Sequence, residues 1–151
     1  MKRPPNSHAV SGQKGVAAIE MAIMLPLLIL IFTGLVEYGR LMWHYDALAK
    51  ATRDAARFLA EEPLDSNNKI PVSSISDARN MVGNAATAAG VEGLVAADDV
   101  DVTCVPADCV TPHTVTVSVS YPFTIGGWVP VFSMANINTT LSPHTTMRYM
   151  R

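Results

Sequence analysis

Sixteen consecutive residues at positions 21–36, MAIMLPLLILIFTGLV, carry no charge and lie between Glu20 and Glu37. Counted back to Ala17, the apolar stretch is twenty residues long, with Glu20 its single interruption. At the α-helical rise a stretch of that length covers roughly 30 Å, the thickness of a bilayer's hydrocarbon core. A buried helix of a soluble domain ordinarily keeps a polar face over such a length. None is present here. The stretch reads as a membrane-spanning helix, and the lipid bilayer is its expected partner. Composition agrees: charged residues make up 16% of the chain, against about 25% in an ordinary soluble domain. The net charge of −2 supplies no basic face, so nucleic acid is not an expected partner.

The flanks suggest an orientation. Lys2, Arg3 and Lys14 precede the span, with no acid among the first fifteen residues. That bias favours a cytoplasmic N-terminus and an extracytoplasmic C-terminal part. Arg40, Lys50, Arg53 and Arg57 follow the span and reduce the asymmetry. Tyr38, Trp43 and Tyr45 fall where an interfacial aromatic belt belongs. A cleaved secretory signal fits poorly. Its apolar core would be about 7–15 residues with a small-residue cleavage site close behind. Here Ala47-Leu48-Ala49, the nearest such site, lies beyond Glu37, Arg40 and Asp46.

Glu20 is the anomaly of the span. A carboxylate four residues into an apolar helix costs on the order of 2.5–3.5 kcal/mol on insertion scales, so it calls for a partner or a function. One reading has it snorkel to the interface near Lys14. The other starts from spacing: Glu20 is the fifth residue after Gly15. Gly15 leaves the backbone accessible to a protease at the membrane face, and cleavage there frees a charged amine on Val16. In a stack of axially displaced helices, Glu20 of one subunit neutralises the Val16 amine of its neighbour, and low dielectric strengthens the pair.

The string from Gly15, GVAAIEMAIMLPLLILIFTGLVEYGRLMW, first resembles the cleavage site of type IV prepilins: a basic leader ending in Gly, then a helix with Glu at its fifth position. More specifically it resembles the TadE-like proteins, pseudopilins of the tight adherence (Tad) system that builds type IVb Flp pili. The shared elements are Ala18, Glu20 and Ala22, then Leu25-Pro26-Leu27, then Gly34, Glu37, Tyr38, Gly39 and Arg40. Met21 stands where Phe is more usual. The resemblance covers residues 15–58, and only a Val-rich strand near Val115 and the closing T-T-M-R-Y extend it. It implies a pilin-like fold in a bacterial inner membrane, single-pass, with the possibility of incorporation into a pilus. It implies a prepilin peptidase cutting between Gly15 and Val16, with this chain as substrate rather than enzyme. The other implied partners are pilins, pseudopilins and inner-membrane Tad assembly proteins.

Beyond the span, the spacing of Leu41, His44, Tyr45, Leu48, Ala51, Ala55, Phe58 and Leu59 continues the helix as an amphipathic one, and Pro63 stops it. Asp46 and Lys50 form an acid-first pair one turn apart. Residues 64–73 read as a polar loop. Ser74-x-x-Asp77 resembles a weak capping box opening a helix over 75–89, with Ala78, Met81, Val82, Ala85 and Ala89 on one side and Gly90 as its stop. Alternation then marks strands at Val100, Val102 and Cys104 and at Val115, Val117, Val119 and Tyr121. Residues 122–130 read as a turn-rich segment. A last alternating stretch covers 137–149, where Pro143 either makes an edge strand or breaks it in two. The expected architecture is α+β: a basic leader (1–15), a long transmembrane and extended helix (16–60), and a small extracytoplasmic head (61–151) with one helix and about three antiparallel strands.

No cofactor or metal is expected. Cys104 and Cys109 are separated by four residues. In an oxidising compartment they suit a structural disulfide; a redox pair would more commonly have two intervening residues at a helix start. A zinc site from Cys104, Cys109, His113 and His144 is a weaker option, since no metal-binding spacing links the histidines. Asp98, Asp99 and Asp101 read as a solvated turn, because the glycine and distal glutamate of a calcium loop are missing. Asn138-Thr139-Thr140 matches a glycosylation pattern of low specificity. No hydrolase or phosphate-binding motif is present. Three functional classes follow: a cleaved pseudopilin or minor pilin, an uncleaved single-span scaffold of a pilus or secretion apparatus, and a membrane-tethered extracytoplasmic enzyme. The Gly15/Glu20 spacing favours the first, and the lack of an enzyme motif disfavours the third.

Overall fold

The computed structural model describes residues 13–126 and 137–150. Residues 1–12 of the basic leader, and the part of the turn-rich segment from 127 on, lie outside the described residues. The chain divides into two compact units, Met1–Tyr38 and Gly39–Arg151.

Helix α1, Gln13–Glu61, runs for 49 residues with Pro26 inside it. From residue 27 to Glu61 no proline interrupts it, and Pro63 sets its end. In the first unit its apolar side chains are exposed. In the second unit Leu48, Ala55, Ala56, Leu59 and Ala60 are wholly buried, with Thr52 among them. Two charge pairs sit on the outer side, Lys50–Asp46 at 2.7 Å and Arg57–Glu61 at 3.0 Å.

Helix α2, Val72–Ala88, starts three residues earlier than the capping-box reading places it. Pro71, with φ −58°, directs the chain into the helix. Ser74 is not the cap: it is buried, and its Oγ donates to Glu62 Oε1 at 2.8 Å. The buried side of α2 is Ser74, Ala78, Val82 and Ala86. Met81 and Ala85 face away from that stripe and are exposed. The helix closes as a Schellman motif, with Val91 N–H on Ala86 O, Gly90 N–H on Thr87 O, and Gly90 at φ +75°.

A short helix, α3 (Ala96–Asp99), leads into five strands. They are β1 (Val100–Val105), β2 (Thr114–Val119), β3 (Tyr121–Ile125), β4 (Ile137–Leu141) and β5 (His144–Arg148). The principal sheet has order β1-β2-β5 and is antiparallel throughout, with Val117 opposite both Val102 and Thr145. Val115, Val117 and Val119 point inward and are fully buried, joining Leu48, Leu59 and Val82 in the core. Strands β3 and β4 form a separate two-stranded ribbon.

One sequence expectation changes here, and one open alternative is decided. Tyr121 does not continue β2. The chain breaks at Ser120, whose N–H bonds Asp99 O, and Tyr121–Ile125 becomes its own strand. Pro122 is tolerated because a two-stranded ribbon leaves alternate N–H groups outside the ladder. Pro143, for its part, divides the last stretch, and the halves join different sheets.

Candidate membrane and assembly site

The apolar part of α1 is exposed along its length. Ile23 is 69% exposed and Leu28 57%. The helix contains an 18-residue window of mean hydropathy 2.4, none of it buried within the chain. So large a continuous apolar surface is unfavourable in water. A helix satisfies its own backbone hydrogen bonds and so suits lipid. Thr33 ties its hydroxyl back to Ile29 O at 2.8 Å, so its own donor is satisfied within the helix. This is a candidate membrane span, and with it the chain takes the form of a single-pass membrane protein.

Gly15 and Val16 lie in the first turn of α1, which begins at Gln13. Glu20 stands one turn beyond Val16 and is exposed. Ala18, Ala22 and Pro26 follow one another at four-residue steps and so share a strip of small side chains. Gly34 is one turn from both Glu37 and Tyr38. Glu37 is 5% exposed, whereas Tyr38 is 61% exposed. A Cβ added at Gly15, Gly34 or Gly39 meets nothing within 4 Å. Among the described residues, no contact demands glycine at any of the three.

Arg40, the last motif residue, belongs to the head. Its guanidinium carbon lies 5.8 Å from the centre of the Phe123 ring, a cation–π contact. One turn on, His44 is buried and meets Phe123 and Tyr121 edge-on, at centroid distances of 5.4 and 6.3 Å. The indole N–H of Trp43 donates to Ala89 O at 3.0 Å, occupying an orphan carbonyl at the end of α2. Tyr121 Oη donates to Glu92 O at 2.8 Å. Burial chiefly raises the pKa of this hydroxyl; the charge of Arg40 lowers it and that of Glu92 raises it. A shallow pocket of about 340 Å³ lies among Arg40, His44, Glu92, Tyr121 and Phe123.

Residues 15–57 match the family model of TadE-like proteins. The matched segment opens at Gly15, includes every motif residue described above, and closes at Arg57, within α1. The match is confined to α1 and does not reach the head, so it likens this helix to that of TadE-like proteins. No curated protein and no solved structure matches the chain.

The head beyond the TadE-like segment carries the cysteine pair. Cys104, on β1, is bonded to Cys109 in the turn that follows. The turn is tied to the α1–α2 loop: Ile70 N–H donates to Cys109 O, Thr111 N–H to Asn68 O, and Lys69 bridges Val110. With both sulfurs in one bond, neither is a thiolate ligand. Among the described residues no group of three or more His, Cys, Asp or Glu converges. Sequence reasoning missed His44 as a packing centre and the anchoring of α2 by Trp43. Helical spacing placed His44 on the inner face, but its aromatic partners are Tyr121, which read as the end of a strand, and Phe123, which read as part of a turn-rich segment.

Proposed function

We propose that this protein is a pseudopilin or minor pilin of a type IVb (Flp/Tad) pilus, cut after Gly15 by a prepilin peptidase and acting in priming or assembly for adherence. The carrying observation is the sequence order at the start of the span: a basic leader, Gly15, then an exposed apolar helix whose one carboxylate is Glu20. The TadE-like match beginning at residue 15 supports the same boundary. After cleavage the Val16 amine becomes the cation that Glu20 of an adjacent subunit pairs with, and the glycine and alanine positions of α1 allow close approach of neighbouring pilin helices. The inner membrane holds the subunit with its head outside, and inner-membrane Tad proteins are its assembly partners.

N-terminal sequencing of the protein from membranes containing the peptidase is the test. The expected terminus is Val16; recovery of an intact Met1 rejects processing.

One observation favours a second reading, the uncleaved scaffold. Helix α1 starts at Gln13, so the Gly15–Val16 bond lies within a helical turn, and a protease needs it extended. The first turn of a helix frays easily because its N–H groups lack intrahelical partners, and glycine lowers helix propensity further. Local opening there costs little, and cleavage is the better reading.

A further inference from the structure

His44 is a buried ionisable side chain that neither the span nor the cleavage after Gly15 uses. It is 7% exposed, and its Nδ1 has no hydrogen-bond partner among the described residues. Leaving that nitrogen unpaired already costs free energy, and a charge on the ring would cost far more. What the ring meets instead is aromatic. Phe123 and Tyr121, the buried side chains of β3, both contact it edge-on. His44 thus joins α1 to the β3–β4 ribbon. That ribbon stands apart from the principal sheet, and two strands alone are marginally stable in water. Its order therefore depends on what it packs against. The principal sheet has its own hold on α1, through the Thr52 and Thr145 hydroxyls at 3.2 Å and through Val115 and Val117 in the core with Leu48 and Leu59.

We propose that His44 is an acid-sensitive latch: neutral, it seats the β3–β4 ribbon on α1, and protonated, it releases that ribbon while the principal sheet stays folded. The groups around the ring offer a proton no compensation. On α1, Arg40 stands one turn earlier, and its guanidinium lies over the same Phe123 ring that His44 meets. Glu37 is about 10 Å of rise further back along the helix. On β3 the one titratable group is Tyr121, whose hydroxyl is given to Glu92 O. Strand β4, INTTL, has none. Glu92, in the turn after α2, is exposed, so its charge is solvated. Burial chiefly lowers the pKa of His44 from the ordinary 6.5, and the charge of Arg40 lowers it further. The folded head therefore binds this proton less tightly than the unfolded chain does. The stability contributed by the neutral ring is complete above pH 6.5 and is lost as pH falls through the lowered value.

Amide hydrogen exchange of the full-length protein in detergent, corrected for the intrinsic pH dependence of exchange, reads the latch between about pH 7.5 and about pH 5. Protection of residues 121–125 and 137–141 should fall several-fold at the lower pH, while that of 115–119 holds. His44→Phe keeps a ring against Phe123 and has no proton to gain, so its ribbon should stay protected at both. His44→Leu repeats the test with a smaller side chain. His113 and His144 are exposed and lie outside the ribbon, and these variants separate their titration from that of His44. An NMR titration of the His44 imidazole in the unmodified protein decides even where a variant does not fold; its midpoint should lie below 6.5. Ribbon protection that stays constant in the unmodified protein overturns the latch, as does an acid loss that persists in His44→Phe or His44→Leu. A His44 midpoint at or above the ordinary value overturns it too. So does a loss shared equally by 115–119, because that is unfolding of the whole head.

Discussion

Helix α1 is built from one backbone but meets two environments. In residues 16–36 the apolar side chains are exposed all around, from Val16 to Val36. In residues 39–61 burial falls on one stripe, His44, Leu48, Ala51, Thr52, Ala55 and Leu59, with Lys50, Arg53 and Asp54 outside it. The difference shows what amphipathicity records. A helix against a protein core in water needs a polar back. A helix in lipid needs none, because its surroundings are as apolar as leucine. Glu20 is thus an exception where it stands and would be ordinary thirty residues later.

The sharpest way to break this contrast is at Glu20. Replacing it with Ala removes an insertion penalty, so the protein should remain abundant and membrane-bound. Piliation, or crosslinking to partner pilins, should fall on the order of tenfold or more as the acceptor for the Val16 amine disappears. Glu20→Gln should be intermediate. Pilus counts and membrane fractionation read both effects, and unchanged piliation in Glu20→Ala would refute charge pairing.

Matched leucine truncations test the two environments directly. Leu48→Ala removes a wholly buried side chain from the head core and should lower head stability by about 2–5 kcal/mol. Leu28→Ala, on the exposed apolar segment, should leave the melting of the head unchanged. Comparable losses from both would mean that the first segment packs within the folded head after all.

A smaller effect is expected at the disulfide. Replacing Cys104 and Cys109 with Ser frees the turn that braces Asn68 to Ile70, and should cost about 2 kcal/mol for so short a loop. Denaturant unfolding of oxidised and double-mutant protein measures it. Two free thiols in protein taken from the envelope would reject both the bridge and an extracytoplasmic head.

The smallest effect is a pH dependence at Tyr121. Its pKa in the folded head is raised above the ordinary 10.0, mainly by burial. The folded state therefore holds this proton more tightly than the unfolded chain. Its contribution is complete below the unfolded value and is lost as pH rises through the folded one. Tyr121→Phe should flatten stability above pH about 10 while removing the bond to Glu92 O. Alkaline melts of the two proteins decide it.

Much of this architecture was legible in the chain. The span, the length of α1, the stop at Pro63, the Gly90 cap and the two central strands follow from local signals: hydropathy, glycine and proline chemistry, and alternation. The motif residues from Gly15 to Arg40 were legible too, because they lie on one helix with nearly constant spacing. Less legible were the parts whose partners are remote. Ser74 looked like a cap but donates to Glu62, twelve residues upstream. Residues 122–125 looked like a turn, and Tyr121 like the end of β2, because Pro122 masks an alternation that only β4 rewards.

By itself the sequence determined that there is one long helix, which part of it is too apolar for water, and where its lone carboxylate stands. Those are properties of neighbouring residues and of a transfer free energy that any local window already contains. Tertiary structure decided that Pro143 sends its two flanks to different sheets. It also decided that His44 packs against Phe123 and that Arg40 and Glu92 share a pocket. The last two join residues about fifty or more positions apart, and the strand pairings about ten to thirty-five. Their existence depends on how sheet, ribbon and helix share one core, which no local periodicity specifies.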